Sequence, residues 1–154
     1  MIFLRRKRRF SRGGFPLVDK ILIMRKLAEL ETYIKQIREY SAITVKEYFK
    51  DWKLQRIVER TLQMMIELCV DIANLIIADE KFRVPTSYSD TFKVLEEEGL
   101  ISDEQCNTMK KMAQFRNIIV HHYDKIDETI IVNILRQNLK DFFEYRDSVL
   151  KIIK

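Results

Sequence analysis

Arg116-Asn117-Ile118-Ile119-Val120-His121-His122-Tyr123 places a guanidinium, an amide, two imidazoles and a phenol within eight residues of a 154-residue chain. An arginine fork binds phosphate or carboxylate through two parallel hydrogen bonds and keeps its charge at any working pH. An imidazole, whose unperturbed pKa lies near about 6.5, can take up or release a proton at neutral pH. An amide can orient either group, and a phenol adds a hydroxyl that can donate or accept a hydrogen bond. The set suits proton transfer on an anionic substrate.

Helical spacing sorts the octet. Cys106, Met109, Ala113, Arg116, Val120 and Tyr123 are separated by alternate steps of three and four, so Arg116 falls on a core-facing stripe. With Arg116 at 0° and about 100° per residue, Val120 falls at about 40°, Asn117 at about 100°, His121 at about 140° and Tyr123 at about −20°. His122 falls at about 240°, beside Ile118 at about 200°, and points away. Geometry therefore favours His121 over His122 as the companion of Arg116. An arginine in an apolar stripe requires a cleft, a carboxylate or a second subunit opposite it. A plainer reading stands beside this one: arginine and histidine near a helix C-terminus also cap carbonyls and offset the helix dipole.

Glu67 and Asp71, four apart on the third helix, read first as a solvated face, with a carboxylate partner for Arg116 as the alternative. No metal is implied. There is no Glu-x-x-His pair, adjacent histidines diverge on a helix, and Cys69 and Cys106 lack ligand spacing.

The elements that must carry these groups read as helices almost throughout. Ile23, Leu27, Leu30, Ile34 and Ile37 define a first helix over about 18–40. Thr44-Val45-Lys46-Glu47 has the form of a capping box opening a short helix to about Trp52. Leu54, Val58, Thr61, Met65, Leu68, Ile72 and Leu75 form the stripe of a third helix, widened by Ile57, Leu62, Cys69 and Ile76. Arg83 to Ser87 is a loop around Pro85. A short helix over about 89–98 ends at Gly99, and Ser102-Asp103-Glu104-Gln105 is a second capping box opening the helix that carries the octet. Asp127 onward, through Ile131, Leu135, Phe142 and Val149, predicts one long last helix. Four substantial helices with short links read as an all-α, antiparallel up-and-down four-helix bundle with additional short helices.

Composition agrees. Three glycines, two prolines, 47% apolar and 33% charged residues describe one helix-rich domain rather than a disordered chain. Two isolated cysteines do not make a secreted disulfide framework, which points to a reducing cytoplasm. No uninterrupted apolar run approaches the roughly 20 residues of a membrane span. The net charge of +5 is concentrated in a leader over residues 1–17, where Arg5, Arg6, Lys7, Arg8, Arg9 and Arg12 stand without an acid; the domain over 18–154 is close to neutral. The leader reads as a disordered tail or as an upstream extension from a misassigned start, against an arm for nucleic acid or a membrane surface.

The octet resembles the Arg-x4-His-x-Tyr signature of the higher-eukaryote-and-prokaryote nucleotide-binding (HEPN) superfamily, in its HepT-like toxin branch. Arg116, Asn117, Val120, His121 and Tyr123 match the branch's form. The stretch from Arg56 to Gln63, running on to Asp71-Ile72-Ala73-Asn74, is similar to its central helix, and the likeness covers about 18–152. The resemblance implies a metal-independent endoribonuclease without a cofactor, the toxin of a toxin–antitoxin pair, acting as a homodimer with an RNA-binding cleft. It implies Arg116 and His121 as catalytic residues, Asn117 as an orienting residue, and His122, Glu67 and Asp71 as candidate support. It also implies a minimal nucleotidyltransferase antitoxin as partner, transferring AMP to Tyr123. The alternative is a non-catalytic subunit that holds a nucleotide or docks such a nucleotidyltransferase.

Overall fold

A computed structural model describes residues 17–154. The basic leader expected over 1–17 therefore lies, but for its last residue, outside the described residues. The helices are α1 (Leu17–Arg38), α2 (Val45–Lys50), α3 (Trp52–Asp79), α4 (Tyr88–Glu97), α5 (Asp103–His121), α6 (Glu128–Asn133) and α7 (Leu139–Ile152). A 3-10 turn over Tyr123–Lys125 follows α5, and a π segment over Ile134–Asn138 joins α6 to α7. The described residues contain no strand, as an all-α reading requires.

The helices form where apolar spacing and end chemistry agree. On α1, Ile23, Leu27, Leu30, Ile34 and Ile37 are all within 2% of complete burial. Thr44 caps α2, its hydroxyl accepting from the Glu47 N–H at 3.1 Å. Trp52, expected to close α2, instead opens α3, because the Asp51 carboxylate accepts the Leu54 N–H at 3.0 Å and starts a new helix. Ser102 caps α5 by accepting from Gln105 N–H. Gly99 stands just beyond α4 with φ +74, and Leu100 N–H donates to Leu95 C=O while Gly99 N–H donates to Glu96 C=O. That paired closure uses the left-handed backbone that glycine adopts without strain.

α3 is the central helix, with α1, α4 and α5 packed on it and α7 reaching α1 and α5. Leu62, Met65, Ile66, Cys69, Ile72, Ala73 and Ile76 are completely buried. Ile57, expected to widen the stripe, is 54% exposed and lines a shallow pocket beside Ile37 and Tyr40 at the end of α1. By length and composition α3 is also long and apolar enough to cross a membrane, which a search for uninterrupted apolar runs passes over; 56% of its most apolar 18-residue window is buried against the other helices.

The last helix departs from the expected single span. The π segment widens one turn, so that Ile134 and Leu135 at its start and Leu139 and Phe142 after it are all buried. Tyr145 on α7 packs edge-on to Phe92 of α4 at 5.8 Å and donates its hydroxyl to the Cys69 C=O at 2.8 Å, tying three helices together.

Candidate active site

Arg116 lies on α5 where that helix faces α3. Its Nε and Nη2 both donate to Glu67 Oε1, at 2.9 and 2.7 Å. The Arg116 and Glu67 side chains retain 15% and 29% exposure, so the pair is largely withdrawn from water. Glu67 Oε1 also accepts from Gln63 Nε2 at 3.1 Å, one turn earlier on α3. Glu67 thus occupies the side edge of the guanidinium. The outer edge, Nη1 and Nη2, keeps N–H donors for a ligand; a long 3.4 Å hydrogen bond from Nη1 to Asn117 Oδ1 is its only other partner among the described residues.

The aromatic ring of Tyr88 covers one face of the guanidinium, 4.7 Å from ring centre to Arg116 Cζ. Tyr88 opens α4, and that end is held firmly. Ser87 accepts the Asp90 N–H at 3.0 Å. Arg83 clasps Asp90 with Nη1 and Nη2 at 2.7 and 2.8 Å and Glu97 with Nε and Nη2 at 2.9 and 3.0 Å. The hydrogen bonds from Arg83 hold the Asp90 carboxyl well below the usual carboxylate range, helped by the Thr86 N–H, and they lower Glu97 as well.

The structure brings together Arg116, Asn117 and Glu67 among the residues read from the sequence. It separates Asp71, whose carboxylate is 55% exposed and faces Lys26 of α1 at 3.6 Å. Asp71 lies one turn beyond Glu67, about 6 Å along the axis, and so misses the level of Arg116. A solvated face is therefore the right description of Asp71 and the wrong one for Glu67.

His121 is the last residue of α5, so its helical phase relative to Arg116 holds, and its side chain is exposed. Among the described residues no hydrogen bond joins it to Arg116; the guanidinium turns to α3 and α4 instead. His122 leaves the helix with φ −138, so the helical angles drawn for His122 and Tyr123 do not apply. Tyr123 lies on the following turn and is 74% exposed, not on the packing stripe. Among the described residues no three His, Cys, Asp or Glu side chains gather into a group that could hold a metal ion.

Two members of the site escape a reading of the octet. Gln63 carried a signal, being one turn from Glu67 on the same face. Tyr88 carried none, because its meeting with Arg116 depends on how α4 packs against α5.

Comparison with known proteins fits this geometry. The Ribonuclease HepT-like family model matches residues 30–149, and the chain belongs to that family. It is 32% identical over 128 residues to the mRNA nuclease HepT of Shewanella oneidensis, covering 83% of this chain and 96% of that protein. It is 24% identical over 110 residues to the tRNA nuclease HepT of Aphanizomenon flos-aquae, covering 71% and 75%. Among solved structures it is similar to the tri-AMPylated Shewanella oneidensis HEPN toxin in complex with its MNT antitoxin, with a TM-score of 0.78, 32% identity, and coverage of 84% of this chain and 96% of that one.

Proposed function

We propose that this chain is the toxin of a toxin–antitoxin pair, a metal-independent endoribonuclease of the cytoplasm that cuts RNA in a cleft shared by two copies. The carrying observation is the way Glu67 grips Arg116: the side edge of the guanidinium is held while the outer edge stays presented. Such a fork fits two non-bridging oxygens of a phosphodiester.

RNA supplies its own nucleophile. The 2′-hydroxyl loses its proton to a histidine, its oxygen bonds to phosphorus, and the bond from phosphorus to the 5′-oxygen breaks. A second proton goes to that leaving oxygen, which yields a 2′,3′-cyclic phosphate and a free 5′-hydroxyl. One chain offers His121 at the mouth of the site; the homodimer supplies a second copy, so that one acts as base and the other as acid. Arg116 stabilises the phosphorane charge from a fixed position, Asn117 orients the substrate, and His122 is a neighbouring support.

The printed descriptions of the relatives name an mRNA nuclease, a tRNA nuclease and an AMPylated toxin held by an antitoxin. On this reading the partner here is a minimal nucleotidyltransferase, and Tyr123, exposed on its turn, is the residue that receives AMP. Added phosphates beside Arg116 would compete with RNA for the fork. His121→Ala tests the proposal: growth inhibition on induction and RNA cleavage should both disappear. Persistence of both would leave a docking subunit as the better description.

A further inference from the structure

The helix that supplies Glu67 carries a second feature leading away from it. Trp52, Lys53, Arg56, Arg60, Gln63 and Glu67 follow one another on α3 at steps of one, three, four, three and four. On an ideal helix they fall within an arc of about 100° and span about 22 Å along the axis. Trp52 is 64% exposed, the Arg56 side chain is 60% exposed, and Lys53 and Arg60 are exposed as well. An indole that open to water contributes little to folding.

The chemistry of this line is specific. Lys53 Nζ sits 5.8 Å from the centre of the Trp52 ring, which occupies part of the indole surface and leaves area for another planar group. Arg56 engages Glu59 through Nη1 alone, at 2.9 Å to each carboxylate oxygen, so its Nε and Nη2 remain available. Neither Lys53 nor Arg60 makes an ion pair among the described residues. Phe49, 68% exposed, lies at the same corner, its C=O accepting from Gln55 of α3 at 3.0 Å. Two exposed aromatic faces at one end, followed by the unpaired cations Lys53 and Arg60 and by Arg56 with donors to spare, lead to Arg116 and match what single-stranded nucleic acid presents: stackable bases and evenly spaced phosphates.

We propose that this face of α3 is a track for single-stranded RNA, with a base stacked on Trp52 and the backbone running over Lys53, Arg56 and Arg60 to Arg116. The track rests on the ribonuclease reading and adds to it where the substrate lies beyond the scissile bond. A purely apolar protein-docking patch would not need three cations in register with the indole.

The test uses the full chain carrying His121→Ala and a short fluorescent single-stranded RNA, with affinity measured across a salt series. Trp52→Ala should weaken binding about 5- to 30-fold, while Trp52→Phe should retain most of it. Lys53→Ala combined with Arg60→Ala should flatten the slope of log affinity against log salt by about 1.4, two phosphate contacts at about 0.7 each. All these side chains are exposed, so unchanged thermal unfolding checks the fold. Affinity within twofold and an unchanged slope would overturn the track. So would a result in which Trp52→Ala breaks the dimer or the complex with the nucleotidyltransferase while the RNA affinity stays the same. Cleavage by the His121→Ala chain would count against the ribonuclease mechanism instead, and the salt slope would still decide the track.

Discussion

Arg116 meets Glu67 with one edge of its guanidinium, and that choice of edge governs what the residue can do next. Removing the carboxylate leaves a mostly covered charge unpaired. Glu67→Ala should therefore cost about 1–3 kcal/mol in urea unfolding and lower RNA cleavage by about tenfold or more as the fork loses its fixed position. Tyr88 works on the other side of the same group. Tyr88→Ala should reduce kcat by about 3- to 10-fold with KM little changed, and Tyr88→Phe should restore it, since the ring face and not the hydroxyl meets the guanidinium. Equal loss in both variants would show that the ring is not what matters. At this scale spacing placed Arg116, Asn117 and His121 on one helix, where they lie, but left a capping role open; the site reading came from the octet's resemblance to the family. The choice of Glu67 over Asp71 was not legible. Both lie on one face of α3, and only the level at which α5 crosses it decides between them.

The elements fix these residues through their ends. α5 stops at His121, which gives that imidazole the edge of the helix and sends Tyr123 out to solvent. Helical angles set the phase of His121 relative to Arg116 and failed for Tyr123, since a rule of about 100° per residue holds only while the helix lasts. Gly99 announced the end of α4 because its left-handed backbone is glycine's own. The matching closure after α3 was silent, because Lys81 adopts φ +55 there without being glycine. The π segment was equally hidden; its apolar spacing differs from a regular helix by a single residue. Arg83, clasping Asp90 and Glu97, ties the loop before α4 to that helix, and this gives a pH signature. Asp90 has a folded pKa below its unfolded value of about 3.9, so its contribution is present at neutral pH and is lost as pH falls below about 4 towards the folded pKa. Urea midpoints of the wild type should thus exceed those of Asp90→Asn at pH 7, and the two should converge as the solution becomes more acidic. A constant gap down the acid limb would contradict the assignment.

For the whole molecule, the helical class and the central place of α3 followed from periodicity, because one long apolar face must be covered by neighbours on several sides. What a single chain lacks is a second histidine beside the substrate, and a homodimer supplies it in the mechanism proposed. The proposed control by a nucleotidyltransferase at Tyr123 belongs to this scale too, since it would join two proteins at one exposed phenol. Tyr123→Phe should keep RNA cleavage within a few-fold of wild type yet stay toxic when the nucleotidyltransferase is co-expressed. Mass spectrometry should find AMP on the wild-type chain and none at position 123 of the variant. Neutralisation of Tyr123→Phe to the wild-type extent, without AMP, would show that the antitoxin works by binding alone.

The most direct test of the central claim is cleavage of a defined RNA by the purified chain in excess chelator, set beside the same RNA carrying a 2′-deoxy sugar at the cut site. The account predicts undiminished cutting with chelator, a 2′,3′-cyclic phosphate end, no cutting of the deoxy substrate, and loss of activity of about 100-fold or more in His121→Ala. Cleavage of the deoxy substrate, or activity abolished by the chelator and restored by a divalent metal, would contradict it.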